Sequence, residues 1–144
     1  MTKKLILFCC SVFILSISNG QTHKLEGEWY NEEKDAIITI EKEKDKSYSG
    51  YITWMKHPND ENGKPKTDTL NPDEDLRNRK RLGMKIMYNF EYDEDNEWDN
   101  GRIYDPKSGN TYRGTITMVS KNRLDLRGYI GISWFGRTSY WTRK

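Results

Sequence analysis

Residues 101–143 constrain the fold more than any other part of the chain. They open with Gly101-Arg102-Ile103-Tyr104 and turn through Asp105-Pro106-Lys107-Ser108-Gly109-Asn110. From Thr111 to Val119 apolar and polar residues then alternate, which is the period-two pattern of a half-buried strand. Two further runs, 124–129 and 132–143, repeat the pattern. Glycines interrupt these runs where a crowded or bent sheet needs a missing side chain, and arginines stand where a plain core would have aliphatics. The combination predicts a small closed or nearly closed β-structure with a cationic, aromatic-walled interior.

Upstream, residues 25–30, 36–41, 48–55, 84–92 and 97–104 read as five more strands, rich in Ile, Thr, Tyr and Trp. On the third, Tyr48, Gly50, Ile52 and Trp54 fall on one face and Tyr51, Thr53 and Met55 on the other. The fourth puts Met84, Ile86, Tyr88 and Phe90 together. Eight strands joined mostly by tight turns make a meander, and closing a meander removes its exposed edges. Eight is also about the number that leaves room for side chains or one small ligand.

One connection is long. Between residues 57 and 82 the alternation disappears, and a link this far beyond the usual ~4–6 residues is commonly either a functional lid or disordered; its capping residues favour partial order. Asn71 can cap a helix with Pro72 at its first position, and Asp73, Glu74 and Asp75 suit the positive end. Arg77, Arg79, Lys80 and Arg81 suit the other end, with Gly83 as the stop. The spacing predicts one or two helical turns, packed by Leu70, Leu76 and Leu82.

Residues 1–20 read as a signal peptide: Lys3-Lys4 precede an apolar run from Leu5 to Ile17, and Ser18-Asn19-Gly20 offers a cleavage site. Residues 21–144 then form a single domain. Both cysteines, Cys9 and Cys10, fall in the leader, so disulfides, thiolate catalysis and thiolate metal sites are excluded from the mature chain. Removing Lys3 and Lys4 leaves 22 basic residues against 22 acidic ones. With no polybasic stripe, nucleic acid is not an expected partner, and no integral membrane segment is expected in the mature chain. The address is periplasmic or secreted.

Gly27-Glu28-Trp29 on the first strand, with Arg143 near the end of the last, resembles the structural hallmark of lipocalin-like barrels, the calycins. There the Trp plugs one end of the barrel and the arginine stacks over it; Arg137 is the alternative match. A longer series runs through Gly50-Tyr51-Ile52-x-Trp54, Asp68-x-x-Asn71-Pro72, Leu76-Arg77 and Gly101-x-Ile103-Tyr104-Asp105-Pro106-x-x-Gly109-x-x-Tyr112. It continues through Leu126-Arg127-Gly128-Tyr129-x-Gly131 and Phe135-Gly136-Arg137-x-x-x-Trp141-x-Arg143. Across the mature chain this order resembles an exported bacterial family, domain of unknown function 2147. The resemblance implies an all-β, eight-stranded up-and-down lipocalin-like barrel, with one long loop carrying a short helix after the third strand.

Asp68, Asn71, Arg77, Tyr104, Asp105, Tyr112, Arg127 and Arg137 are the candidate ligand-binding residues. In one reading they ring a barrel mouth, the arginines forking onto a carboxylate or phosphate and the acids orienting them. In the other they tie the long loop to the barrel, with Asp105 holding the turn at Pro106. Arg127 and Arg137 are the preferred anchors, because an arginine turned inward from a strand needs a counter-charge. Tyr51, Trp54, Tyr129, Trp134 and Tyr140 are further wall candidates.

No metal site is expected from His23 and His57 alone, no cofactor motif is present, and no catalytic residue is assigned. The expected function is binding of a small hydrophobic, polar-headed or anionic ligand in the cell envelope. Two alternatives stay open. One is an envelope hydrolase or isomerase using Asp68 or Asp105 at the mouth, and the other is a filled barrel whose loop docks an envelope protein.

Overall fold

The structure, a computed structural model, describes residues 23–131 and 136–144. The expected leader and residues 132–135, including the wall candidate Trp134, lie outside the described residues.

Eight antiparallel strands close on themselves in sequence order. They are β1 (Gly27–Tyr30), β2 (Ala36–Lys42), β3 (Tyr48–Met55), β4 (Lys85–Tyr92), β5 (Glu97–Asp105), β6 (Asn110–Ser120), β7 (Arg123–Tyr129) and β8 (Arg137–Arg143). The seam is short: Trp29 pairs with Arg143 and Tyr30 with Thr142. Within this up-and-down path the loops alternate between two ends. Residues 31–35, 56–84 and 106–109 gather at one end, and the β2–β3, β4–β5 and β6–β7 turns gather at the other.

The second end is sealed. Trp29 is fully buried and its indole N–H donates to the Leu25 carbonyl at 2.9 Å. The Arg143 guanidinium stacks 4.1 Å from the Trp29 ring, the cation–π contact the resemblance implied. Its nitrogens donate to the carbonyls of Glu26, Lys24 and Lys121, so the segment before β1 and the β6–β7 turn are both pinned by one side chain. This explains Gly27, whose φ is +132°: a Cβ there would stand 2.6 Å from an Arg143 nitrogen. Leu25, Ile40, Phe90, Trp98, Ile116, Met118 and Leu124 fill the same half of the barrel.

Two expectations need correction. Between Ile37 and Ile38 the β2–β3 register shifts, Ile37 pairing with Trp54 and Ile38 with Ile52, so Thr53 is the extra residue of a bulge. The phase change leaves Trp54 exposed on the outer wall, edge-on to Tyr30 at 6.4 Å, and brings Met55 to the interior instead. The predicted helix is only a single 3-10 turn, Glu74–Leu76, capped by Asp73 rather than Asn71. Leu70, Leu76 and Leu82 are exposed and do not pack it. Its expected last turn is drawn away: the Asp68 N–H donates to the Arg79 carbonyl and the Arg81 N–H to the Lys66 carbonyl, so residues 66–68 and 79–81 form a small antiparallel ribbon.

Candidate functional site

The open end holds a cavity of about 470 Å³, within the size range of small-molecule sites, roughly 300–1,000 Å³. Its walls follow from the strand alternation. On β2 and β7 the residue that fills the sealed half is followed, two positions along, by one that lines the cavity: Ile38 beyond Ile40, and Leu126 beyond Leu124. Ile52, Ile86 and Trp141 complete an apolar interior.

The mouth is charged. Lys66, Arg81, Lys107 and Arg137 line it together with Glu33, Asp35 and Asp105. The acids are already engaged. Asp35 accepts from the Asn31 amide at 2.6 Å and from Lys107 Nζ at 3.2 Å; burial pushes its carboxyl up, and these partners outweigh burial and hold it below the ordinary value. Glu33 accepts from the same Asn31 amide at 3.0 Å. Asp105 holds its turn, accepting from the Lys107 N–H at 2.9 Å and the Ser108 hydroxyl at 2.7 Å.

Beside the cavity lies a buried polar cluster centred on Asp68, whose side chain is wholly inaccessible. One oxygen accepts from the Tyr104 hydroxyl at 2.6 Å, and the other from the Asn71 amide at 2.8 Å and from Arg79 Nε and Nη2, both at 2.9 Å. Burial alone would raise the Asp68 carboxyl. Tyr104, Asn71 and Arg79 together overcome it, so the group lies below the ordinary carboxylate value and stays ionised. The same burial, with the Asp68 charge beside it, pushes the Tyr104 phenol up to about 12. Gly109 completes the fastening: at φ +75° a Cβ would collide with the Leu70 carbonyl oxygen, so the β5–β6 turn and the loop meet backbone to backbone.

The eight sequence candidates therefore separate into three groups. Tyr104, Asp105, Tyr112 and Arg137 line the cavity. Asp68 and Asn71 are buried beneath the loop, and Arg77 lies on the loop surface, bonded to the Asn71 carbonyl and paired with Glu74 at 3.0 Å. Arg127 is the clear correction. Leu126 and Gly128 line the cavity, whereas Arg127 between them lies on the other face, donating to Thr138 Oγ1 at 3.1 Å. Arg137 stands at the rim, 81 % exposed and 3.7 Å from Glu32, so neither preferred anchor is an inward, desolvated guanidinium. Of the described aromatic candidates only Tyr104 and Tyr112 reach the cavity; Trp141 does so unpredicted.

Lys66, Arg81, Asp35, Lys107 and Asn31 were missed as site residues. The signal for two of them was present, since Lys66/Asp68 and Arg79/Arg81 each show strand spacing inside a segment read as helix and turn. Among the described residues no three His, Cys, Asp or Glu side chains come together as a metal site would require, and no helix is long and apolar enough to cross a membrane.

A closed eight-stranded meander with one plugged end and one open cavity defines a lipocalin-like barrel. The chain belongs to the family described as "Uncharacterized protein conserved in bacteria (DUF2147)", whose sequence profile matches residues 27–143. Among solved structures it is similar to protein HP1028 from Helicobacter pylori, described as belonging to the lipocalin family. The TM-score is 0.72 at 22 % identity, over 85 % of this chain and 84 % of that one. No curated protein matches the chain.

Proposed function

We propose that this is an exported protein of the cell envelope that holds one small ligand in its barrel, the apolar body inside and a polar or anionic head at the mouth. The observation that carries the reading is the asymmetry of the barrel: Trp29 and Arg143 seal one end, while the other keeps an apolar cavity of about 470 Å³ beneath a charged rim. A barrel selected only for rigidity has no reason to leave half its interior unfilled, since filling such space would stabilise it. Export rests on the leader-like residues 1–20 and on a mature chain without cysteine. The enzyme alternative loses its named acids, because Asp68 is saturated with donors and Asp105 is committed to its turn.

Native mass spectrometry of protein recovered from its own cell envelope tests this directly. The expected result is a mass above that of the bare chain, released on denaturation as a small amphiphile. Protein that carries nothing from the envelope, and binds no apolar-tailed probe afterwards, would remove the proposal.

A further inference from the structure

We infer that the cavity recognises an oxyanion head, a carboxylate or phosphate, seated between Lys66 and Arg81 with the ligand's tail on the apolar floor. This rests on the ligand-binding reading above and adds the chemical class and the residues that read it.

The argument begins with the ribbon. Thr67 pairs antiparallel with Lys80, which sets Lys66 opposite Arg81 and Asp68 opposite Arg79. The second pair is neutralised, Arg79 lying on Asp68 at 2.9 Å. The first is two cations side by side, and like charges directly opposite on a sheet repel. Their backbones are held together. The Lys66 N–H donates to the Pro58 carbonyl at 2.9 Å, its carbonyl accepts from the Arg81 N–H at 2.9 Å, and Arg81 Nε donates to the Thr67 carbonyl at 2.9 Å. Arg81 is thus oriented through Nε, and its terminal nitrogens have no hydrogen-bond or carboxylate partner among the described residues.

Both side chains are half-buried and both line the cavity. The mouth's own carboxylates are engaged with Asn31, Lys107 and the β5–β6 turn, and among the described residues none forms an ion pair with Lys66 or Arg81. A guanidinium oriented through its Nε at the edge of an apolar pocket, with a lysine opposite it on the ribbon, suits an oxyanion in charge and in the guanidinium's fork geometry. The backbone that carries the pair is fastened by the buried Asp68 cluster two residues away on each strand, and Arg81 is held further by its own Nε bond.

The test uses four eight-carbon probes on the mature protein by titration calorimetry: octanoate, octyl phosphate, octanol and octyltrimethylammonium. The expected result is that at least one of the two anions binds about tenfold or more tightly than octanol. Octyltrimethylammonium should bind weakest, and whichever anion binds tighter identifies the head. In Lys66→Gln and Arg81→Gln the anion advantage should fall to near parity while octanol affinity holds, which also reports that the barrel is intact. Octanol binding as tightly as both anions, or an anion advantage unchanged in both variants, would overturn the inference and leave the ligand-binding reading standing. Binding of none of the four would overturn that reading as well.

Discussion

The hydroxyl of Tyr104 donates to the carboxylate of Asp68 at 2.6 Å, joining the end of β5 to the middle of a loop 36 residues earlier in the chain. Through this contact the long connection is fastened to the barrel, and Lys66 and Arg81 are held at the cavity because Asp68 and Arg79 are held beside them.

Tyr104→Phe removes one donor from a buried carboxylate and leaves the ring in place. We expect a loss of about 1–3 kcal/mol in urea unfolding, the usual cost of a buried polar group losing a partner. Asp68→Ala, which strands Arg79 and Asn71 as well, should cost more. Equal stability of the Tyr104→Phe protein and its parent would show that this contact does not hold the loop.

The same cluster sets a pH response at both extremes. The Asp68 carboxyl lies lower in the folded protein than its ordinary 3.8. Its contribution is therefore complete above that value and is lost as the pH falls through the lower folded value. The Tyr104 phenol is raised from 10.0 to about 12. Its contribution is complete below pH 10 and disappears as the pH rises from 10 to about 12. Denaturant midpoints across pH 2–5 and 9–12 should fall at both ends, and the alkaline fall should be smaller in Tyr104→Phe, which leaves Tyr51 as the other phenol raised by burial and a carboxylate partner.

At the sealed end, Arg143→Ala leaves the Trp29 ring uncovered and the carbonyls of Lys24, Glu26 and Lys121 without their donor. Loss of the cation–π contact and these bonds should cost about 2–4 kcal/mol. Probe affinity in the folded fraction should be unchanged, since the cavity lies in the opposite half. Thermal unfolding combined with calorimetry separates the two quantities.

Ala36 lines the cavity near the mouth. Ala36→Phe should fill that space and weaken octyl-probe binding at least tenfold, with a change in stability within about 1–3 kcal/mol. Full affinity in this variant would place the ligand elsewhere.

Arg127→Ala should leave probe affinity unchanged, because the side chain lies on the face away from the cavity, against Thr138. Any tenfold loss measured by calorimetry would return Arg127 to the site.

The barrel was legible because its strands alternate and its turns are short: Trp29, Ile38, Ile40, Leu124 and Leu126 announce their faces in the order of residues alone. The inward placement of Arg127 contradicted that same alternation, since Leu126 and Gly128 on either side of it already claimed the interior. Two features were hidden for physical reasons. A bulge reverses the phase of Trp54 and Met55, and nothing in residues 48–55 announces the extra residue at Thr53. In the loop, acidic residues before basic ones satisfy a helix dipole and a charged ribbon equally well. The choice was made by a long-range partner, Tyr104, which local sequence does not reveal.

The plug formed by Trp29 and Arg143 turns the tube into a cup. A cup has a single doorway, so on the ligand-binding proposal a guest would leave by the route it came, tail entering first and head emerging first. Whatever loads this protein and whatever unloads it would have to approach the same loops.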